Sequence, residues 1–137
     1  MEETKHNKFF AGKKIMWVED DEFFSSLMIK KLSETGCTLV FTPTGEEAIK
    51  RVSEEKPDLI ILDLLLPGIN GFKVLENIRL DESLKNTPIM ILSNLGGQEN
   101  IEHARSFGIE KYLIKTDTNL GGVMKEIEEI LRKKNLS

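Results

Sequence analysis

Pro57-Asp58-Leu59-Ile60-Ile61-Leu62-Asp63 is the stretch that decides the fold of this chain. Four apolar residues in a row, Leu59–Leu62, are too few for a helix. They also lack the polar alternation of a strand with one wet face. Parallel strands buried between two helical layers carry this pattern. Working outward, four more short apolar runs have the same character: Ile15–Val18, Thr38–Thr42, Ile89–Leu92 after Pro88, and Tyr112–Ile114. Helical spacing fills the gaps between them. Phe24, Leu27, Met28 and Leu32 recur at helical spacing up to Gly36, which sits where a C-cap glycine belongs. Thr44 can cap a helix running to Val52, with Glu47 placed as its capping-box partner. Shorter patterns run from Val74 to Ile78 after Gly71, and from Ile101 to Phe107 before Gly108. The last helix spans Val123 to Lys134 and puts Ile127, Ile130 and Leu131 on one face. Five strands alternating with five helices predict an α/β fold with a doubly wound, five-stranded parallel sheet, because right-handed crossovers cover both faces.

The chain has 137 residues, the size of one domain. Residues 1–12 are polar apart from Phe9-Phe10 and read as a flexible tail, leaving 13–137 as the domain. With 19 Lys plus Arg against 23 Asp plus Glu, the net charge of −4 speaks against a general grip on nucleic acid or on an anionic membrane. Cys37 is the single cysteine, which excludes an internal disulfide or a thiolate cluster. Nothing approaches the roughly 20 apolar residues of a membrane span, and no signal peptide is visible at the N-terminus. These features predict a reduced, cytoplasmic protein.

Ligands of open α/β sheets bind outside the carboxyl ends of the strands, so the residues following each apolar run carry the functional information. After the first run come Glu19, Asp20 and Asp21; after the third, Asp63. The fourth ends in Ser93 and the fifth in Lys115. Carboxylates gathered at one rim repel one another and call for a hard divalent cation such as Mg²⁺. An ammonium and a hydroxyl beside them suit phosphoryl oxygens, and aspartate is a known covalent nucleophile for phosphoryl groups. Each residue alone has an ordinary explanation: acidic residues complement a helix N-terminus, and Asp and Ser commonly end strands. The combination at one rim favours the site.

Together, Val18-Glu19-Asp20-Asp21, Pro57 to Asp63, Pro67-Gly68 with Gly71, Pro88 to Ser93, and Tyr112-Leu113-Ile114-Lys115 resemble the receiver domain of two-component response regulators, from about Lys13 to about Lys134. The resemblance implies a flavodoxin-like strand order, 2-1-3-4-5. It implies Asp63 as phosphoacceptor and Mg²⁺ held by Asp20, Asp63 and the backbone carbonyl of Leu65, with Glu19 contributing through water. It implies that Ser93 and Lys115 bind the phosphoryl group and that Ser93 and Tyr112 act as switch residues. The implied donor is a sensor histidine kinase or a histidine phosphotransfer protein. The implied output is binding of a downstream protein target, through the surface of the fourth helix, fifth strand and fifth helix, as a monomer or a phosphorylation-dependent dimer. Such a domain assists its own phosphorylation and slow dephosphorylation but is not otherwise an enzyme. A receiver excised from a longer transcriptional regulator or hybrid kinase, and a phosphate-independent pseudo-receiver, are the alternatives.

Two positions depart from the family pattern. Thr116 stands where proline usually follows the lysine, and Asn94 stands where a small residue follows the switch hydroxyl. Leu64, Leu65 and Leu66 beside the acidic site have two readings: some tuck under the third helix, or Leu65 and Leu95, two positions beyond Asp63 and Ser93, flank the path of an attacking water. Rival chemistries fit less well. A haloacid-dehalogenase-type phosphatase needs a second acid where Asp63-Leu64-Leu65 has leucine. A flavin phosphate would be repelled by Glu19–Glu22. His6 and His103 have no metal-binding companions, and Trp17 reads as a packing residue of the first strand.

Overall fold

The computed structural model describes residues 8–136. Five parallel strands form one sheet in the order β2-β1-β3-β4-β5: β1 (Lys14–Val18), β2 (Thr38–Thr42), β3 (Leu59–Leu62), β4 (Ile89–Ser93) and β5 (Lys111–Ile114). The helices are α1 (Glu22–Ser33), α2 (Gly45–Glu55), α3 (Gly71–Leu80), α4 (Gln98–Arg105) and α5 (Leu120–Leu136), with 3₁₀ turns at Glu82–Leu84 and Lys115–Asp117. This is the flavodoxin-like doubly wound architecture, and β2 and β5 are its edges.

Alternation along the strands divides the interior into two cores. Met16, Val18, Ile60, Leu62, Ile89 and Ile91 face one way, onto Val52 of α2, Val74 and Ile78 of α3 and Ala104 of α4. Ile15, Trp17, Leu59, Ile61, Met90 and Leu92 face the other way, onto Met28 and Leu32 of α1 and Ile127 and Leu131 of α5. The central strand β3 is buried along its whole length, as its unbroken apolar run requires.

The helix ends follow side-chain chemistry. Asp21 accepts a hydrogen bond from the Phe24 amide at 3.1 Å and caps α1. Thr44 accepts from the Glu47 amide at 3.2 Å, but the Glu47 carboxylate lies 3.8 Å from Arg51, so the interaction is a cap rather than the reciprocal box. Helix α4 begins at Gln98, earlier than its apolar residues suggest, because its first turn is polar and carries no periodic signal. Helix α5 begins at Leu120, where Asn119 accepts from the Gly122 amide at 2.8 Å. Two glycines there conceal the helix start from propensity.

Arg79, near the end of α3, donates to the carbonyls of Phe107, Leu84, Thr87 and Gly108 at 2.7–3.1 Å. One guanidinium thus clips α3 to the turn before β4 and to the end of α4. Burial holds its pKa below the ordinary arginine value.

One expectation needs correction. Residues 8–12, read as the end of a loose tail, are docked on the domain. Residues 8–10 are helical, Phe10 is fully buried in the core beneath α1 and α5, and the Gly12 amide donates to the Gly36 carbonyl at 3.2 Å. Two adjacent phenylalanines in a polar segment carried this signal, since one aromatic side chain gains enough from burial to anchor a turn. Residues 1–7 of that tail lie outside the described residues. Phe10→Ala is expected to lower unfolding free energy by about 3–5 kcal/mol in urea titration, as for a fully buried phenylalanine. A loss below about 1 kcal/mol, within the range of surface substitutions, would show that the segment is not part of the core.

Candidate functional site

Each functional side chain stands at the carboxyl end of a strand, where backbone pairing runs one residue past the strand and then stops. The Glu19 amide donates to the Thr42 carbonyl at 3.2 Å and the Asp63 amide to the Val18 carbonyl at 3.0 Å. The first bond fixes the end of β1 to β2, and the second fixes the end of β3 to β1. The acidic run beyond β1 divides its labour. Glu19 turns inward and is 2% exposed, whereas Asp20 stays exposed. Asp21 and Glu22 serve the N-terminus of α1, which is the role an acidic cluster has there on general grounds.

Carboxylate oxygens of Glu19, Asp20 and Asp63 all lie within 4.8 Å of one another. The Lys115 ammonium crosses from the end of β5 to meet two of them, Glu19 at 2.5 Å and Asp63 at 2.9 Å. The lysine side chain is 10% exposed, so both ion pairs are largely shielded from solvent. Burial pushes the Glu19 carboxyl up to about 8; the hydrogen bond to Lys115 opposes this shift and the adjacent Asp63 adds to it. For Lys115, burial works against the charge, but the hydrogen bonds to Glu19 and Asp63 outweigh it and raise the pKa. An all-oxygen set of three acids, one exposed and two inside, fits a hard divalent cation with some coordination positions left for water.

The third strand's loop is shaped to hold Asp63 in place. Its Oδ1 accepts from the Leu65 amide at 2.9 Å, which keeps the backbone of residue 65 beside the carboxylate. Leu64 is buried, Leu66 packs on the core, and Leu65 remains half exposed at 51%. Helix α3 starts hard against this loop. A Cβ at Gly71 would stand 2.3 Å from the Leu64 Cα and 2.7 Å from the Asp63 carbonyl, so no side chain fits there.

Ser93 closes β4, fully buried, and its Oγ accepts from the Leu95 amide at 3.2 Å. The Tyr112 hydroxyl donates to the Leu95 carbonyl at 2.5 Å, drawing the edge strand β5 to the same loop. Burial, reinforced by the charge on Asp63, raises the Tyr112 pKa. Glu19, Asp20, Asp63 and Lys115 therefore meet directly, with Ser93 on the adjacent strand end and Tyr112 behind the loop that follows it.

Three features escaped sequence reasoning. The two departures from the family pattern are bonded to each other: the Thr116 amide, a donor that proline lacks, gives its hydrogen to Asn94 Oδ1 at 3.1 Å. The described residues contain no cis peptide bond, so Lys115–Thr116 is trans. Phe24, assigned by spacing to the packing face of α1, also places its ring 5.5 Å from the Lys115 ammonium. His103 is exposed on α4, yet its ring stacks on Phe72 of α3 at 4.4 Å.

The site geometry makes one expectation concrete. In Lys115→Met the three acids lose their resident cation, so the melting temperature in chelator should fall. Added magnesium should then raise that temperature more than it does in the wild type, because ion and ammonium no longer compete. Equal magnesium shifts in the two proteins would count against a shared acidic site.

Comparison with known proteins agrees with this geometry. Residues 15–128 match the family described as response regulator receiver domain. The chain is 36% identical over 105 residues to the Regulator of RpoS of Escherichia coli (strain K12), spanning 77% of this chain but 31% of that protein. It is 31% identical over 103 residues to the polar-differentiation response regulator DivK of Brucella ovis, covering 75% of this chain and 84% of that one. Among solved structures, a two-component response regulator from Clostridium difficile superimposes with a TM-score of 0.81 at 28% identity, covering 90% of this chain and 98% of the other. The phosphorylated cyanobacterial phytochrome response regulator RcpA superimposes with a TM-score of 0.76 at 31% identity, over 88% and 91% of the two chains. Among the described residues, no helix is long and apolar enough to cross a membrane. This chain belongs to the response regulator receiver domains of two-component signal transduction.

Proposed function

We propose that this receiver domain accepts a phosphoryl group on Asp63 from a phosphohistidine of a histidine kinase or phosphotransfer protein and signals by changing which partner it binds. The observation that carries this reading is the placement of the Lys115 ammonium between Glu19 and Asp63, with Asp20 completing the acidic set. That RcpA, a phosphorylated response regulator, shares the fold at 31% identity supports it.

In this reading an Asp63 oxygen bonds to phosphorus while the bond from phosphorus to the donor nitrogen breaks, and the imidazole keeps that electron pair. Asp20, Asp63 and the Leu65 carbonyl would hold Mg²⁺, with Glu19 acting through water. When bound there, the ion would supply positive charge that offsets the negative charge developing on the transferring group. Lys115 exchanges part of its contact with Asp63 for a phosphoryl oxygen, as a compact point charge can. Ser93 already accepts from the Leu95 amide, which leaves its own O–H to be donated to a second phosphoryl oxygen. Since Leu95 is also the acceptor of Tyr112, a shift of Ser93 reaches β5 through one short loop. A dianionic group at this rim would thus bias the packing of α4, β5 and α5, the surface through which the downstream protein is engaged.

Incubation with Mg²⁺ and acetyl phosphate should add one acid-labile phosphoryl group by intact mass, and Asp63→Asn should add none. Equal labelling of the two proteins would falsify the assignment. No labelling of the wild type would instead favour a phosphate-independent binding module. Leu65, half exposed beside the acid, shields the acyl phosphate from water in this reading, so Leu65→Asn should shorten the phosphorylated lifetime. An unchanged lifetime would remove Leu65 from the account.

A further inference from the structure

The Lys115 ammonium has a third neighbour that the phosphoryl-transfer account does not use. Nζ lies 5.5 Å from the centroid of the Phe24 ring, within the range at which a cation is drawn to an aromatic face. The ring itself is held in place. It packs on the core and stacks on Trp17 at 6.2 Å between centroids, with 21° between the planes. Trp17 is fully buried in β1, and its indole N–H donates to Ser25 Oγ at 3.0 Å. The Phe24 amide is fixed by the Asp21 cap. Ammonium, phenyl ring and indole therefore form a continuous line from the acidic pocket into the core. An aliphatic side chain of similar size would fill the same space without attracting the charge.

We propose that Phe24 is a positioning residue for phosphoryl transfer, its ring face holding the Lys115 ammonium over the pocket while that ammonium passes from the free acids to the incoming phosphoryl group. The proposal rests on the reading of Asp63 as phosphoacceptor. A lysine side chain is flexible and its charge strongly hydrated. Without the ring, the ammonium keeps its bonds to Glu19 and Asp63 in the resting state. It loses one constraint on its position once the Asp63 contact is exchanged for phosphoryl oxygen. The effect should therefore appear in the rate of phosphorylation more than in the stability of the resting protein.

The test measures initial phosphorylation rates with acetyl phosphate and Mg²⁺ by intact mass. In that reaction the new bond is Asp63 oxygen to phosphorus, and acetate leaves with the electrons of the broken bond. Phe24→Leu should slow the reaction about threefold, in keeping with a partly exposed cation–π contact, and Phe24→Tyr, which keeps the ring face, should stay close to the wild type. A merely structural role for Phe24 would slow the reaction whatever stands at residue 115. In a Lys115→Met background, Phe24→Leu should therefore produce no further slowing. An equal loss in both backgrounds, or no loss in either, overturns the proposal while leaving the Asp63 reading intact. Labelling of Asp63→Asn at the wild-type rate overturns the Asp63 reading itself, and the positioning role falls with it.

Discussion

The structure depends on one electrostatic constraint: three carboxylates gather at the ends of two adjacent strands, and a largely shielded ammonium from a third strand pairs with the two inner ones, Glu19 and Asp63. Acids within 4.8 Å of one another in a shielded pocket are unfavourable unless a cation joins them. Here Lys115 supplies that charge across the width of the sheet, from edge strand β5 to β1 and β3. The parallel order β2-β1-β3-β4-β5 makes the crossing possible, because it sets every relevant strand end on the same rim. The same constraint leaves the pocket responsive. Any new anion or cation placed there must redistribute contacts that already exist, and β4 and β5 share the loop through which such a change would travel.

Strand positions were legible in the sequence because short apolar or β-branched runs are too brief for helices. Leu59–Leu62, buried along its whole length, and Thr38–Thr42, on the partly exposed edge, begin and end where those runs do. Helix starts were less legible, since first turns are solvent-facing. Gln98 opens α4 on polar residues, and Leu120 opens α5 ahead of two glycines. That Glu19, Asp20, Asp63 and Lys115 share one rim could be read because position after a strand is a one-dimensional property. Contacts made across the fold could not. Nothing about Phe24 in a helical pattern distinguishes a core aromatic from one that also faces an ammonium, and nothing about Asn94 announces Thr116 as its partner. Phe10 shows the converse, a local signal discounted because its surroundings are polar.

The Asn94–Thr116 bond gives the two departures from the family pattern one physical meaning. A proline after the lysine would offer no amide hydrogen, and a small residue after the serine would offer no acceptor. This chain has both, and at 3.1 Å they tie the loop after β4 to the turn after β5. With Tyr112 bonded to Leu95, two links close the same gap between neighbouring strands. Ser93 and Lys115, each adjacent in sequence to one end of the first link, share a common frame.

Arg79 has a mechanical consequence of its own. By gripping carbonyls on both sides of β4, at Leu84 and Thr87 before it and at Phe107 and Gly108 after α4, it bolts the entry and the exit of that strand–helix unit to one point on α3. At the far end, where Ser93 to Gly97 turn the chain into α4, the loop is held by two bonds, from Tyr112 to Leu95 and from Thr116 to Asn94. Were α4 to be displaced, this fixed lower pivot would favour rotation over sliding along the sheet and would place the largest travel at the rim where the acids lie.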